Sequence, residues 1–226
     1  MTISMKKHEK ALGWVFLLMT PLALPMILVS LCDLLPTPLD TAQLNAVVFA
    51  VDFLLTMLIF HRFLWQNGAQ ALRRPGKSFL WIGIGFAVYQ ASSSLIALLM
   101  GLLAPDFANA NDQSIQTMLQ DHFWLLAPCI VILVPITEET LYRGLVFGSI
   151  RKRCRWLAYV VSACAFSALH VISYIGTLSP LHLVLSFLQY LPGGIALALA
   201  YDMSETLWSS ILIHSTINLI ALIALR

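Results

Sequence analysis

The chain has 226 residues, 59% hydrophobic and only 11% charged, with a mean hydropathy of +0.84. That is too little polar surface for a water-soluble fold of this size, and a formal charge of +2 gives no footprint for nucleic acid. What remains is an all-α fold, a polytopic transmembrane helical bundle, read as a single integral membrane domain over 1–226.

Apolar runs of the roughly 20 residues that a span requires occur near 11–34, 42–65, 78–104, 122–150, 156–176, 181–201 and 206–225, which predicts about seven helices. The first run contains Pro21 and Pro25 and reaches Leu35 without a small-residue cleavage site, so it is expected to stay as a helix. The second carries an unexplained charge, Asp52, and ends in His61–Lys77, where Trp65 and four basic residues suit a helix lying in the headgroup layer. The third includes Ser92, Ser93 and Ser94 but no Gly-x-Ser arrangement that would mark a nucleophile. A polar, acidic linker follows, with Asp106, Asp112 and Asp121. The fourth run holds Pro128 and Pro135, which predicts a broken fourth helix. Cys32, Cys129, Cys154 and Cys164 show no paired spacing; three sit within or beside apolar runs, and they read as buried thiols, not as a metal site.

Charge placement predicts orientation. Lys6, Lys7 and Lys10 precede the first run; Arg62, Arg73, Arg74 and Lys77 lie between the second and third; Arg151, Lys152, Arg153 and Arg155 lie between the fourth and fifth. The alternate linkers, 33–41, 105–121 and 177–180, contain no Lys or Arg, and only Arg226 falls on the other side. The positive-inside rule then puts the N-terminus in the cytoplasm and the C-terminus outside, with a bacterial plasma membrane the expected host.

Three clusters place ionisable groups in or against the later apolar runs: Glu138-Glu139-Thr140-Leu141-Tyr142-Arg143, Phe166-Ser167-Ala168-Leu169-His170 and His214-Ser215-Thr216-Ile217-Asn218. Charges inside lipid are costly enough to be read as functional. Glu139 and Arg143 are four apart and share a helix face, so they suit an ion pair. Glu138 is turned by about 100° from Glu139, which leaves it free to act as a general base. His214 and Asn218 also share one face and can direct two hydrogen-bond donors to one point, as an oxyanion requires. Each pair taken alone fits interhelical hydrogen bonding equally well. Their co-occurrence favours one shared site. Phe166 reads as packing, as do Gly144, Gly148, Gly193 and Gly194, where small residues let helices approach closely.

The order EExxxR, FxxxH, HxxxN resembles the CAAX protease and bacteriocin-processing (CPBP, or abortive-infection) family of intramembrane glutamic endopeptidases, over roughly 121–226; residues 1–120 would be accessory helices. The resemblance implies hydrolysis of membrane-associated or lipidated peptides. It makes Glu138 and His170 the water-activating pair, His214 and Asn218 the oxyanion donors, and Glu139 and Arg143 the supporting pair. No cofactor is implied, and the partners expected are a peptide or membrane-protein substrate and the bilayer. A zinc mechanism is the lesser alternative, since HExxH is absent. A non-catalytic immunity or partner-binding protein of the same family is the competing function, and an ion-coupled transporter lacks an evident repeat.

Depth is the obstacle for straight helices. At ~1.5 Å per residue, Glu138 would lie about 24 Å from one face, His170 about 21 Å from the other, and His214 about 12 Å from that same face. Convergence therefore needs a bent fourth helix, and Pro135 supplies a cause.

Overall fold

A computed structural model describes residues 3–225. Among these residues, apart from a single 3-10 turn at Ile172–Tyr174, eight helices run in chain order: α1 Lys7–Met19, α2 Ala23–Cys32, α3 Thr41–Arg73, α4 Pro75–Leu103, α5 Ala110–Ile150, α6 Arg155–Leu169, α7 Pro180–Ser204 and α8 Leu207–Ala224. Five of these, α3, α4, α5, α7 and α8, are long and apolar enough to cross a bilayer. The helices α1 and α2 pass that test together as one bent span, while α6 is a shorter apolar helix of 15 residues. Each predicted run thus has its helical counterpart, and Arg226 lies outside the described residues.

The solvent preference is inverted relative to a soluble protein. Leu18, Met26, Leu34, Leu58, Phe79, Leu102 and Leu103 are exposed. Glu139, Arg143, Thr140, Asn67, Ser162 and Ser210 are fully buried. Apolar exteriors of this extent are stable only against lipid, and this is an integral membrane protein. Exposed Trp65 and Trp156 lie toward the basic end and exposed Trp124 toward the other, as interfacial aromatics do.

Local chemistry accounts for the joints. Between α1 and α2 the axis bends by 67° around Pro21, whose missing N–H cannot continue the ladder. Asp40 caps α3 by accepting from the Gln43 amide at 2.9 Å. The segment 61–77 forms no separate headgroup helix. Instead α3 continues to Arg73, α4 begins at Pro75, and Arg74 alone separates them. Proline at a first helical position, with φ already suited to a helix, explains so short a joint.

The predicted break in the fourth span takes a definite form. There is no chain interruption. Helix α5 kinks at His122 (φ −125°, ψ 34°) and contains two wider π-helical stretches, Cys129–Leu133 and Thr140–Phe147. In the first stretch the Val134 N–H bonds back to the Cys129 carbonyl, five residues away. The next bond in that pattern would come from residue 135 to Ile130. Pro135 has no N–H to give, so the Ile130 carbonyl is released from the ladder.

Packing fixes α6 and α7 against α5. Arg151 and Arg155 both bind the buried carboxylate of Asp202 on α7, and the Tyr159 hydroxyl donates to it at 2.9 Å. The α8 start is docked on α3, where Asn67 Oδ1 accepts the Leu207 N–H and the Asn67 carbonyl accepts the Thr206 hydroxyl, each at 3.0 Å. At Gly194 a Cβ would lie 2.8 Å from the Ala163 backbone Cα, a contact that no side-chain rotation can relieve. Gly194→Ala should therefore lower thermal stability by about 1–3 kcal/mol. Gly193→Ala, whose Cβ would meet only Tyr89 at 3.6 Å, should change it by less than about 0.5 kcal/mol. Thermal unfolding in detergent compares the two directly.

Candidate active site

Arg143 is the hub of the buried centre. Its Nη1 donates to Glu139 Oε1 at 2.9 Å and its Nη2 to the Gly194 carbonyl at 3.1 Å, while its guanidinium lies 4.4 Å from the centre of the Phe166 ring. One side chain thus ties α5 to α7 and α6. Neither Arg143 nor Glu139 is exposed at all. In that environment the guanidinium's planar fork is better suited than an ammonium to bind an oxygen on two elements at once.

The same Glu139 oxygen accepts a second bond, from His214 Nδ1 at 2.9 Å. A carboxylate only accepts, so Nδ1 carries the proton and Nε2 is the atom left for chemistry. That Nε2 lies 3.9 Å from Glu138 Oε2, a charge contact longer than a hydrogen bond. The two adjacent glutamates therefore have different environments. Glu139 Oε1 takes two hydrogen bonds, whereas Glu138 Oε2, like Glu139 Oε2, is buried with no hydrogen-bond partner. Asp52 on α3 interacts electrostatically with Glu138 and also holds a buried, unpartnered oxygen, Oδ1.

His170 caps the end of α6. Its Nδ1 donates to the Phe166 carbonyl at 3.0 Å, which leaves Nε2 as an acceptor. One ring face stacks on Tyr190 of α7, with centroids 4.0 Å apart. Phe166 lies between the two imidazoles, 4.8 Å from His170 and 5.7 Å from His214 between centroids. Asn218 Nδ2 donates at 2.8 Å to the Ile130 carbonyl that Pro135 released. This is an interhelical bond, and it uses one of the two hydrogens on that amide.

A cavity of about 570 Å³ joins these groups. Phe166, His170, His214 and Asn218 are on its wall, with Tyr89, Ser93, Ala97 and Gly101 of α4 opposite. Glu138 is not among the lining residues and stands behind His214. The bent α5 thus brings Glu138 beside His214, while His170, His214 and Asn218 share the cavity wall. At the rim, the segment before α5 is fastened to α7. Asn109 Nδ2 donates to Gln189 Oε1 at 2.9 Å, Asn111 Nδ2 to the Tyr190 hydroxyl at 3.0 Å, and that hydroxyl to Asp112. Tyr190, Gly194 and Asp52 are the site elements that motif spacing did not identify. Among the described residues, no three His, Cys, Asp or Glu side chains are grouped to hold a metal ion.

Residues 120–220 match the family model described as type II CAAX prenyl endopeptidase Rce1-like, a stretch that contains all three motifs. That stretch is thus similar to the Rce1-like domain of the CPBP family. Two relatives from Lactococcus lactis subsp. lactis (strain IL1403) match this chain. UPF0177 protein YbdJ is 33% identical over 98 residues, covering 43% of this chain and 38% of that protein. UPF0177 protein YbdI is 27% identical over 100 residues, covering 44% and 49%. The chain thus spans less than half the length of either relative. No solved structure matches it.

Proposed function

We propose that the protein is an intramembrane endopeptidase that hydrolyses peptide bonds of membrane-associated or lipidated peptides without a metal. The observation that carries this reading is the single cavity onto which His170, His214 and Asn218 face, with a partnerless carboxylate oxygen of Glu138 3.9 Å from His214. Amide hydrolysis needs a base for water, donors for the oxyanion and a proton for the leaving amine.

In this reading a side-chain rotation brings the Glu138 carboxylate past His214 into the cavity. It then takes a proton from a water that also donates to His170 Nε2. The water oxygen bonds to the scissile carbonyl carbon, and the carbonyl oxygen becomes an oxyanion. His214 and the second Nδ2 hydrogen of Asn218 donate to that oxyanion. His214 donates from Nε2 in its doubly protonated form, with its Nδ1–H held on Glu139 to fix the ring. The C–N bond breaks as the proton held by Glu138 passes to the amine.

The test is a mass-spectrometric comparison of membrane peptidomes from cells with and without the working protein. New peptide termini should appear only with it, and purified protein should continue to generate them in the presence of a chelator. Loss of cleavage on chelation would replace the glutamate mechanism with a metal-dependent one. Identical peptidomes, with any cellular phenotype intact, would favour a binding role.

A further inference from the structure

The cavity lies toward one end of the helices, and the charges distinguish that end from the other. On α4 it uses Tyr89 to Ala104, the half remote from Arg73, Arg74 and Lys77. On α7 it uses Gln189 to Leu197 and on α8 His214 to Ala221, again the portions remote from Asp202 and Thr206. Its rim is Pro105, Phe107, Asn109 and Asp112, and no Lys or Arg lines it. Between the site and the basic end lies a plug of fully buried side chains, including Phe60, Phe63, Leu145, Phe147 and Tyr201. Beyond the plug, Asp202 is held by Arg151 and Arg155, and Thr206 by Asn67. Lys7, Lys10, Arg73, Arg74 and Lys77 are at this same end.

We propose that the site is entered only from the face opposite the basic loops, and that this face is extracytoplasmic. Its substrates are then peptide segments exposed outside the membrane, such as secreted peptides or the outer ends and loops of membrane proteins. The residue 105–112 segment, latched to Gln189 and Tyr190, forms the entrance. The direction follows from two independent features, the position of the plug and the bias of Lys and Arg to the cytoplasmic side. The substrate class rests on the endopeptidase reading; the direction of access does not.

The experiment uses Gly101→Cys in a background in which Cys32, Cys129 and Cys164 are alanine, leaving Cys154 in the basic loop as a marker of that face. Gly101 lines the cavity, and a Cβ there meets nothing within 4 Å. Cys154 is exposed. Intact cells or spheroplasts are treated with a small, charged, membrane-impermeant methanethiosulfonate, and modification is read by mass. The G101C thiol should react in intact cells, and Cys154 only after permeabilisation. Reaction of the G101C thiol only after permeabilisation, its failure to react in either state, or reaction of Cys154 in intact cells would each overturn the proposal. Ala104→Cys, also on the cavity wall, repeats the test if G101C does not accumulate. No peptide cleavage is needed for this readout. Labelling as expected with no new termini in the peptidome would leave the access direction standing and reject the endopeptidase reading. New termini confined to cytoplasmic segments would overturn the substrate class.

Discussion

Replacing Arg143 by methionine should destabilise the fold by about 3–5 kcal/mol, the range for removing one partner of a buried ion pair. The reason is specific to this centre. Among the described residues, Arg143 is the only cation within hydrogen-bond reach of Glu139 apart from the His214 ring, and it also occupies the Gly194 carbonyl and the Phe166 face. Its loss leaves a fully buried carboxylate beside an unbonded carbonyl. Lysine in its place keeps a charge but not the fork that reaches two elements, so Arg143→Lys should recover only part of the stability. The double variant Glu139→Gln/Arg143→Met removes both charges and should be markedly more stable than Arg143→Met alone. Thermal unfolding in detergent of the native protein, Glu139→Gln, Arg143→Met and the double variant closes the cycle. Additive losses would mean that the pair does not act as a unit.

Glu138→Gln should reduce cleavage by about 10²- to 10⁴-fold, the usual contribution of a general base. It should do so with no loss of thermal stability. Glutamine has the same shape, and the Glu138 Oε2 atom has no hydrogen bond to lose. Neutralising a buried, unpartnered carboxylate next to Asp52 removes a desolvated charge, so stability should hold or rise. A site held unsatisfied for its chemistry commonly shows this opposition of activity and stability. Parallel falls in activity and melting temperature would instead make Glu138 a structural residue.

The helices were legible because lipid imposes its own length on apolar runs, and no soluble core requires so many of them. The Glu139–Arg143 contact was legible from four-residue spacing on a helix. Less could be read where two arrangements share one composition. Trp65 with Arg73, Arg74 and Lys77 suits a headgroup helix, but it suits equally the ends of two spans joined at Pro75, which is what forms. Pro135 signalled a disturbed helix without saying that the disturbance would be π-helical. Only with that register known does the release of the Ile130 carbonyl, and hence the bond from Asn218, follow. The stacking of Tyr190 on His170, the Gly194 carbonyl on Arg143 and the approach of Asp52 to Glu138 join elements far apart in the chain. Contacts of that kind leave no periodicity within any one segment. The expected convergence is largely found: the bent α5 places Glu138 3.9 Å from His214 and Phe166 lies against both imidazoles, although Glu138 itself does not line the cavity.

The most direct test is to reconstitute the purified protein in liposomes with a pool of membrane-associated peptides, in water enriched in heavy oxygen, and to examine the products by mass spectrometry. Hydrolysis predicts new C-termini that each carry one solvent oxygen, formed by the native protein and absent with Glu138→Gln. A folded native protein that yields no labelled termini, or a Glu138→Gln variant that yields as many, would contradict the assignment.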